Sequence, residues 1–429
     1  MASAPGGDRC ACVASSGSPP AQTTTRAPST PTTTKAPASA PTTTAAPSTD
    51  DLRGCWTCSP GYSHWWKLNM AEPADRCSCF PTSGSPPSAP SPPSVASPPV
   101  SGGGAGWNAG GRYGKYTGQM RRFLNAMTPS GDDTGSVSFS AAVAPYSPWN
   151  PPPMDLIKRL LGNIRQQTKF KTLTMYYIDQ WTIPVIAEYK FQMMGVVSLV
   201  VGQDNTGVIN AAIQMANQFP DTIVGIACGN ELGQQSGLTW SVVHTITDCV
   251  NRVKAAVKQP VGSMDTYSSW CSQDDGGCRT RWSAVSDSLD WIGVNIYPYW
   301  NNVFSGDKPC NYYYEAAQRT MESHNVLMDL YSNIPVIVTE WGWPGAPDGQ
   351  TIMGHANYVT GQQCSVCNNA NQKKMVQDMI ELNRKYQLPS NCFSAFREEW
   401  KGTGGVMSIE TQWGICSGTP PYNCMNSPN

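Results

Sequence analysis

The chain has 429 residues, with 29 Lys and Arg against 30 Asp and Glu, so its net charge of −1 provides no long-range field to draw in nucleic acid or an anionic membrane. Cysteines number 16 and histidines only 4, a balance that favours disulfides in an oxidising compartment over metal sites. No apolar run approaches the roughly 20 residues needed to span a bilayer.

The start, Met1 to Gly7, has neither the basic patch nor the apolar stretch of a secretion signal. Residues 1–20 carry Arg9-Cys10-Ala11-Cys12 followed by a Ser-Gly-Ser-Pro-Pro run, and the same tail returns at Arg76-Cys77-Ser78-Cys79. The first copy has only the back half of this repeat, which points to a module whose front half lies upstream. Residues 21–54 are a linker rich in Thr, Ala and Pro, and residues 82–106 one rich in Ser, Pro and Gly. Neither can bury enough apolar surface to offset its ordering entropy, so both read as extended stalks, the first O-glycosylated.

Between the stalks, residues 55–81 form a small module with Cys55, Cys58, Cys77 and Cys79, too small for an apolar core and in need of staples. Two chemistries fit: a zinc ribbon, although its second Cys pair would want two intervening residues where this chain has one, and two disulfides, which the stalk-like flanks of an extracellular chain favour. Trp56, Trp65 and Trp66 make either a platform for stacking sugar rings or a cover for the disulfides.

From residue 107 to 429 the sequence reads as one folded domain in which short apolar runs alternate with helical stretches. The expected strands are Val137–Pro145, Lys171–Ile178, Gly195–Gly202, Thr222–Cys228, Gly262–Tyr267, Asp290–Tyr297, Pro335–Glu340 and Cys392–Phe396. Val243, Ile246, Val250, Val253 and Val257 recur at helical spacing after the fourth strand. Eight such units predict an α/β fold, the (β/α)8 TIM barrel, with its chemistry at the C-terminal ends of the strands. Ten of the cysteines lie here, enough for five bridges, with Cys271–Cys278, Cys364–Cys367 and Cys416–Cys424 close enough for local loops. Cys228 reads as a small buried apolar residue, and His244, His324 and His355 match no ligand spacing.

Two carboxylates stand where a barrel places its chemistry. Thr222–Cys228 leads into Gly229-Asn230-Glu231, and Pro335–Thr339 into Glu340-Trp341-Gly342-Trp343-Pro344. Two carboxyls facing each other across a barrel mouth, about 5 Å apart, suit retaining glycoside hydrolysis, one as acid/base and the other as nucleophile.

Together with Asn295-Ile296-Tyr297-Pro298-Tyr299, these motifs in this order resemble glycoside hydrolase family 17, the β-1,3-glucanases and β-1,3-glucanosyltransferases of plants and fungi. Phe393 to Phe396 with Trp400-Lys401, then Gln412-Trp413-Gly414, are similar to that family's eighth-strand region and tail, and the likeness runs over roughly residues 138–416. The resemblance implies that Glu231 is the acid/base and Glu340 the nucleophile. It implies that Asn230 bonds the sugar 2-hydroxyl and that Tyr297 holds Glu340. It further suggests Trp300, Trp343 and Trp400 as stacking walls, and Lys401 with Glu398 and Glu399 as a charged subsite. The charge of Glu340 would raise Glu231.

The chain departs from the family in having Trp341 after the nucleophile, Arg397 and Glu399 in the eighth-strand motif, and Tyr176-Tyr177 without an Arg at the end of strand two. The function expected is a secreted or cell-wall hydrolase of β-1,3-glucan, monomeric and without cofactor or metal. The alternatives are a β-1,3-glucanosyltransferase and a non-catalytic glucan-binding wall protein.

Overall fold

Eight short segments of the chain pair edge to edge, all in parallel, and the last returns to the first to close a barrel. The strands are β1 (Ser136–Ser138), β2 (Thr172–Met175), β3 (Gln192–Val197), β4 (Ile223–Asn230), β5 (Val261–Thr266), β6 (Trp291–Asn295), β7 (Val336–Trp341) and β8 (Ser390–Cys392). Closure is made where Asn391 of β8 stands opposite Ser136 of β1. The computed structural model describes residues 113–140, 153–272, 279–280, 282–300, 315–346, 352–353, 366–401, 409–424 and 427, together with strands 62–66 and 77–81.

The chain divides into two units, residues 1–92 and 93–429. In the first, Tyr62–Trp66 pairs antiparallel with Cys77–Pro81, so that Trp66 stands opposite Cys77. The repeat of residues 1–20, the two linkers, Cys55 and Cys58 lie outside the described residues.

Helices pack on the barrel: α1 (Gly118–Met127) before β1, which touches β2, β4 and β6, then α2 (Met154–Gln167), α3 (Thr182–Glu188), α4 (Thr206–Gln218), α5 (Trp240–Lys254), α6 (Ala316–Leu330) and α7 (Asn369–Tyr386). Each presents an apolar stripe inward; α2 buries Leu156, Ile157, Leu160, Leu161 and Ile164. The helix expected after the fourth strand is α5, which buries Val243, Ile246, Val250 and Val253, while Val257 packs on the core beyond its end. Phe123 of α1 lies against Gly225 of β4, where a Cβ would come within 2.4 Å of the ring.

All eight expected strands exist, with shifted ends. β3 starts at Gln192 and stops at Val197, because Leu199 to Gly202 have left the ladder and turn toward α4. β8 ends at Cys392; beyond it Phe393 still donates to Trp341 of β7 and Ala395 to Ser138 of β1, while the N–H groups of Ser394 and Arg397 donate to Trp413 and Cys416, and the carbonyls of Ser394 and Ala395 accept from Ile415 and Cys416. The cysteine expectations also change. Cys228 is not a lone apolar residue but is bridged to Cys249, tying the end of β4 to α5. Cys416–Cys424 forms as expected, and Cys271 is also disulfide-bonded. Cys367 and Cys392 are buried thiols, so the Cys364–Cys367 loop does not form and the ten cysteines of this region make at most four bridges.

Candidate active site

The end of β4 is shaped by two residues with positive φ. Gly229 sits at φ +80 and Glu231 at φ +55, ψ 28, which turns the chain sharply out of the ladder at the C-terminal mouth of the barrel. Glycine takes this conformation freely; for Glu231 it costs on the order of 1 kcal/mol and has to be held in place. The hold begins with the Glu231 N–H, which donates to the carbonyl of Met264 on β5 at 2.9 Å.

Glu340, near the end of β7, is 5% exposed. Tyr176, following β2, donates to its Oε1 at 2.6 Å, and Tyr297, following β6, donates to its Oε2 at 2.6 Å. The Asn230 amide adds a longer contact to Oε1 at 3.4 Å. Asn295 at the end of β6 links the two acids: its Nδ2 donates to Glu231 Oε1 at 2.9 Å and to Asn230 Oδ1 at 3.0 Å. Its own Oδ1 accepts from Thr339 at 2.8 Å, which fixes the orientation of the amide. Behind Tyr176, Asn391 donates to Ser138 at 2.7 Å, and Ser138 lies 3.1 Å from the Tyr176 hydroxyl. β1, β2, β4, β6, β7 and β8 all contribute to this one connected polar layer.

Electrostatics follow from burial. Desolvation first, then the charge of Glu231, push Glu340 up to about 8, against the two tyrosine hydroxyls and Lys401. Glu231 is raised too, by desolvation, while Asn295 and Lys401 pull it down. Desolvation rather than the charge of Glu340 is thus the leading cause at Glu231, contrary to the sequence-based expectation. Because the two acids interact, the titrations belong to the pair, which keeps one proton above the ordinary carboxylate range. Tyr176 and Tyr297 are both raised well above their ordinary value, by burial and then by Glu340, so they remain hydrogen-bond donors. Asp265 on β5 is pushed up to about 6, by burial against the bonds it accepts.

The rim is built from the segment after β8. Lys401 pairs with Glu398 at 2.6 Å, and Ser140 donates to the other oxygen of Glu398 at 2.7 Å. Glu398 is buried and Lys401 partly so, whereas Glu399 is exposed and stands apart. The Lys401 ammonium lies 5.0 Å from the Phe393 ring centroid and 5.5 Å from that of Trp400. Trp413 packs edge-on against Tyr297 with centroids 4.9 Å apart and also lies against Trp300.

The expected site residues therefore divide. Glu231, Glu340, Asn230 and Tyr297 are drawn into one hydrogen-bonded cluster, and Lys401 reaches both acids electrostatically. Trp300 and Trp400 are half-buried at the rim. Trp343 is 0% exposed and edge-on to Tyr299, so it packs beneath the site and offers no face for stacking. Trp341 is equally enclosed; its indole N–H donates to Ser390 at 3.1 Å, because the pleat of β7 sends it to the opposite side from Glu340. Arg397 is buried and donates to Ala346 and Asn369, away from the acids. Tyr176, Asn295, Phe393 and Asp265 were not singled out from sequence. Asn295 and Tyr176 each stood in a quoted motif, but nothing local marks which of Tyr176 and Tyr177 turns inward.

Residues 145–414 match the family model described as the BtgE/BtgC glycoside hydrolase domain. A probable glucan endo-1,3-beta-glucosidase eglC of Aspergillus terreus is 27% identical over 153 residues, 32% of this chain and 29% of that protein. A probable beta-glucosidase btgE of the same fungus is 26% identical over 257 residues, 58% of this chain and 40% of its own length. The matches thus span less than half the length of these curated relatives. An endo-laminarinase from Formosa Hel1_33_131 superposes with a TM-score of 0.51 at 17% identity, over 66% of this chain and 83% of that one. A Rhizomucor miehei beta-1,3-glucanosyltransferase, an active-site mutant in complex with laminaritriose, reaches 0.50 at 16% identity over 70% of this chain and 100% of its own. At these identities the structural likeness is one of fold.

Proposed function

The chain belongs to the BtgE/BtgC glycoside hydrolase family, and from that premise we propose that it is a retaining hydrolase of β-1,3-glucan, related to glycoside hydrolase family 17, with Glu340 as nucleophile and Glu231 as acid/base. The observation that carries this is the unequal support of two linked carboxyls at the ends of β4 and β7. Glu340 accepts from Tyr176, Tyr297 and Asn230, while Glu231 accepts from Asn295 and is more open to the mouth. Donors aimed at an ionised carboxylate stabilise the charge, so the one negative charge of the pair belongs on Glu340 and the proton on Glu231.

The reaction then runs in two displacements. Glu340 attacks the anomeric carbon as Glu231 passes its proton to the departing glycosidic oxygen, leaving a glycosyl ester on Glu340. Glu231, now ionised, takes a proton from a water whose oxygen attacks the same carbon and frees Glu340. A sugar hydroxyl in place of that water would make the reaction a transglycosylation. Asn230, held by Asn295, is poised for the sugar 2-hydroxyl, a contact that strengthens as positive charge grows on the ring. Trp300, Trp400 and Lys401 form the walls of the subsites, and a chain of net charge −1 suits a neutral polysaccharide. The names of the Aspergillus relatives support a β-1,3-glucan as that polysaccharide. Disulfides and Thr/Ser/Pro-rich linkers support a place outside the cell or in its wall, where the enzyme acts as a monomer.

Reducing-sugar release and product masses from laminarin, mixed-linkage glucan, cellulose and mannan test this. Laminarin should be turned over by the wild type and neither by Glu231→Gln nor by Glu340→Ala. Equal activity in all three proteins, or turnover of cellulose or mannan alone, would overturn it. Products longer than the substrate would favour transfer over hydrolysis.

A further inference from the structure

Glu231 is followed at once by a short helical turn, Leu232–Ser236, and that turn is fastened to a carboxylate on the neighbouring strand. Asp265, on β5, is 0% exposed. Its oxygens accept from the backbone N–H of Gly233 at 2.7 Å and of Gln234 at 3.2 Å. They also accept from the N–H of Thr266 at 2.8 Å and the hydroxyl of Ser269 at 2.6 Å. The residue before it, Met264, accepts the N–H of Glu231. Two consecutive residues of β5 therefore grip the chain on both sides of the Glu231 side chain. The approach is close: a Cβ on Gly233 would come within 3.0 Å of Asp265 Oδ2.

A carboxylate enclosed in a barrel wall is costly unless its lone pairs are met, and four donors meet them here. The same grip holds Glu231 in a backbone conformation that a glutamate seldom adopts by itself. Asp265 has no exposed surface with which to touch a substrate.

We infer that Asp265 is a positioning residue: through Gly233 and Gln234 it locks the turn that aims the Glu231 carboxyl at the leaving oxygen. Ser269 fixes the rotamer of Asp265 and so belongs to the same device. This rests on Glu231 being the proton donor.

The test separates steps that need that proton from steps that do not. Laminarin has a poor leaving group; a dinitrophenyl β-laminaribioside has one that departs without protonation, so its first-turnover burst reports attack by Glu340 alone. Asp265→Asn, in the full chain, should lose on the order of 10- to 100-fold in kcat on laminarin with KM nearly unchanged. Its dinitrophenolate burst should stay within about threefold of wild type, since general-acid help is not needed there. Equal losses on both substrates would mean a general structural role and overturn the inference, as would wild-type turnover of laminarin. Should Asp265→Asn fail to fold, Ser269→Ala carries the same comparison, with a smaller loss confined to laminarin expected and no loss overturning it. Glu231→Gln, assayed alongside, should show the same split in more severe form. Wild-type laminarin turnover by that variant would instead remove Glu231 as the proton donor, and the inference with it.

Discussion

Replacing Tyr297 by Phe removes one oxygen atom and little else. The ring keeps its packing against Trp413 and Phe393, at centroid distances of 4.9 and 6.1 Å. What disappears is the 2.6 Å hydrogen bond to Glu340 Oε2, which has no other donor among the described residues; Oε1 keeps Tyr176 and Asn230. A hydrogen bond to a charged group contributes about 1.5–3 kcal/mol, so the ionised form of Glu340 loses about that much relative to its protonated form. That corresponds to a rise of roughly one to two pH units in the ionisation that arms the nucleophile. The hydroxyl lowers Glu340, so deleting it moves the acidic limb of the kcat/KM profile to higher pH. At the pH optimum of the wild type, kcat/KM should fall about 10- to 100-fold. Tyr176→Phe should do the same less severely, because Asn230 still reaches Oε1. The assay is laminarin hydrolysis across pH 4 to pH 9 for the three proteins. An unshifted acidic limb with less than about twofold loss of rate would refute the placement of the charge on Glu340.

Burial makes a prediction about stability with the opposite pH sense to that of an ordinary surface acid. Glu340 is raised from 4.5 to about 8 beside Glu231, which is raised too, so the folded pair holds an extra proton above the ordinary carboxylate range and stability falls as pH climbs through that window. Glu340→Gln should therefore match the wild-type unfolding free energy near pH 4 and exceed it at pH 8, by on the order of a few kcal/mol; a constant difference across pH would contradict the cause assigned. The Cys228–Cys249 bridge closes a separation of 21 residues, for which chain entropy gives about 3 kcal/mol. Urea unfolding of the double Cys228→Ala, Cys249→Ala variant should show a loss of that size without the variant losing its secondary structure. Trp343→Ala should lower stability by about 3–5 kcal/mol, as large buried rings do, and leave the laminarin KM of the folded fraction close to wild type. Trp300→Ala should do the reverse, raising KM with little change in melting temperature.

The barrel was legible in the sequence because short apolar runs mark several of its strands, β4 and β7 above all, and because the helical spacing of Val243, Ile246, Val250 and Val253 shows plainly which face is buried; β1 (Ser-Val-Ser) and β8 (Ser-Asn-Cys) carry little such signal. Strand ends were less legible. Apolar residues continue past Val197 into a turn, and hydrophobicity does not mark where ladder bonds stop. Glu231 and Glu340 stood out because a carboxylate at the end of a buried strand needs a reason to be there. Their partners did not, since these come from elsewhere in the chain: Tyr176 is 164 residues from Glu340, and Asn295 is 64 from Glu231. Which of two adjacent tyrosines faces inward is set by the pleat, a property of register rather than composition. The same holds for the tryptophans. Trp300 and Trp343 have equally aromatic neighbours in sequence, yet one reaches the rim and the other is enclosed. Asp265 is a lone acid in a strand of mixed residues, Val261–Thr266, and only the backbone of Gly233 and Gln234, folded against it, reveals what it holds.

The division of labour between the two glutamates can be put to one direct measurement. A dinitrophenyl β-laminaribioside carrying a 2-fluoro substituent on its reducing-end glucose slows both displacements, and its good leaving group lets the first outrun the second, so the glycosyl-enzyme accumulates. Proteolysis and mass spectrometry of the trapped protein should find the added sugar on the peptide containing Glu340, as an ester lost in the Glu340→Ala variant. A label on the Glu231 peptide, or a protein that turns over laminarin but takes up no label under these conditions, would contradict the assignment.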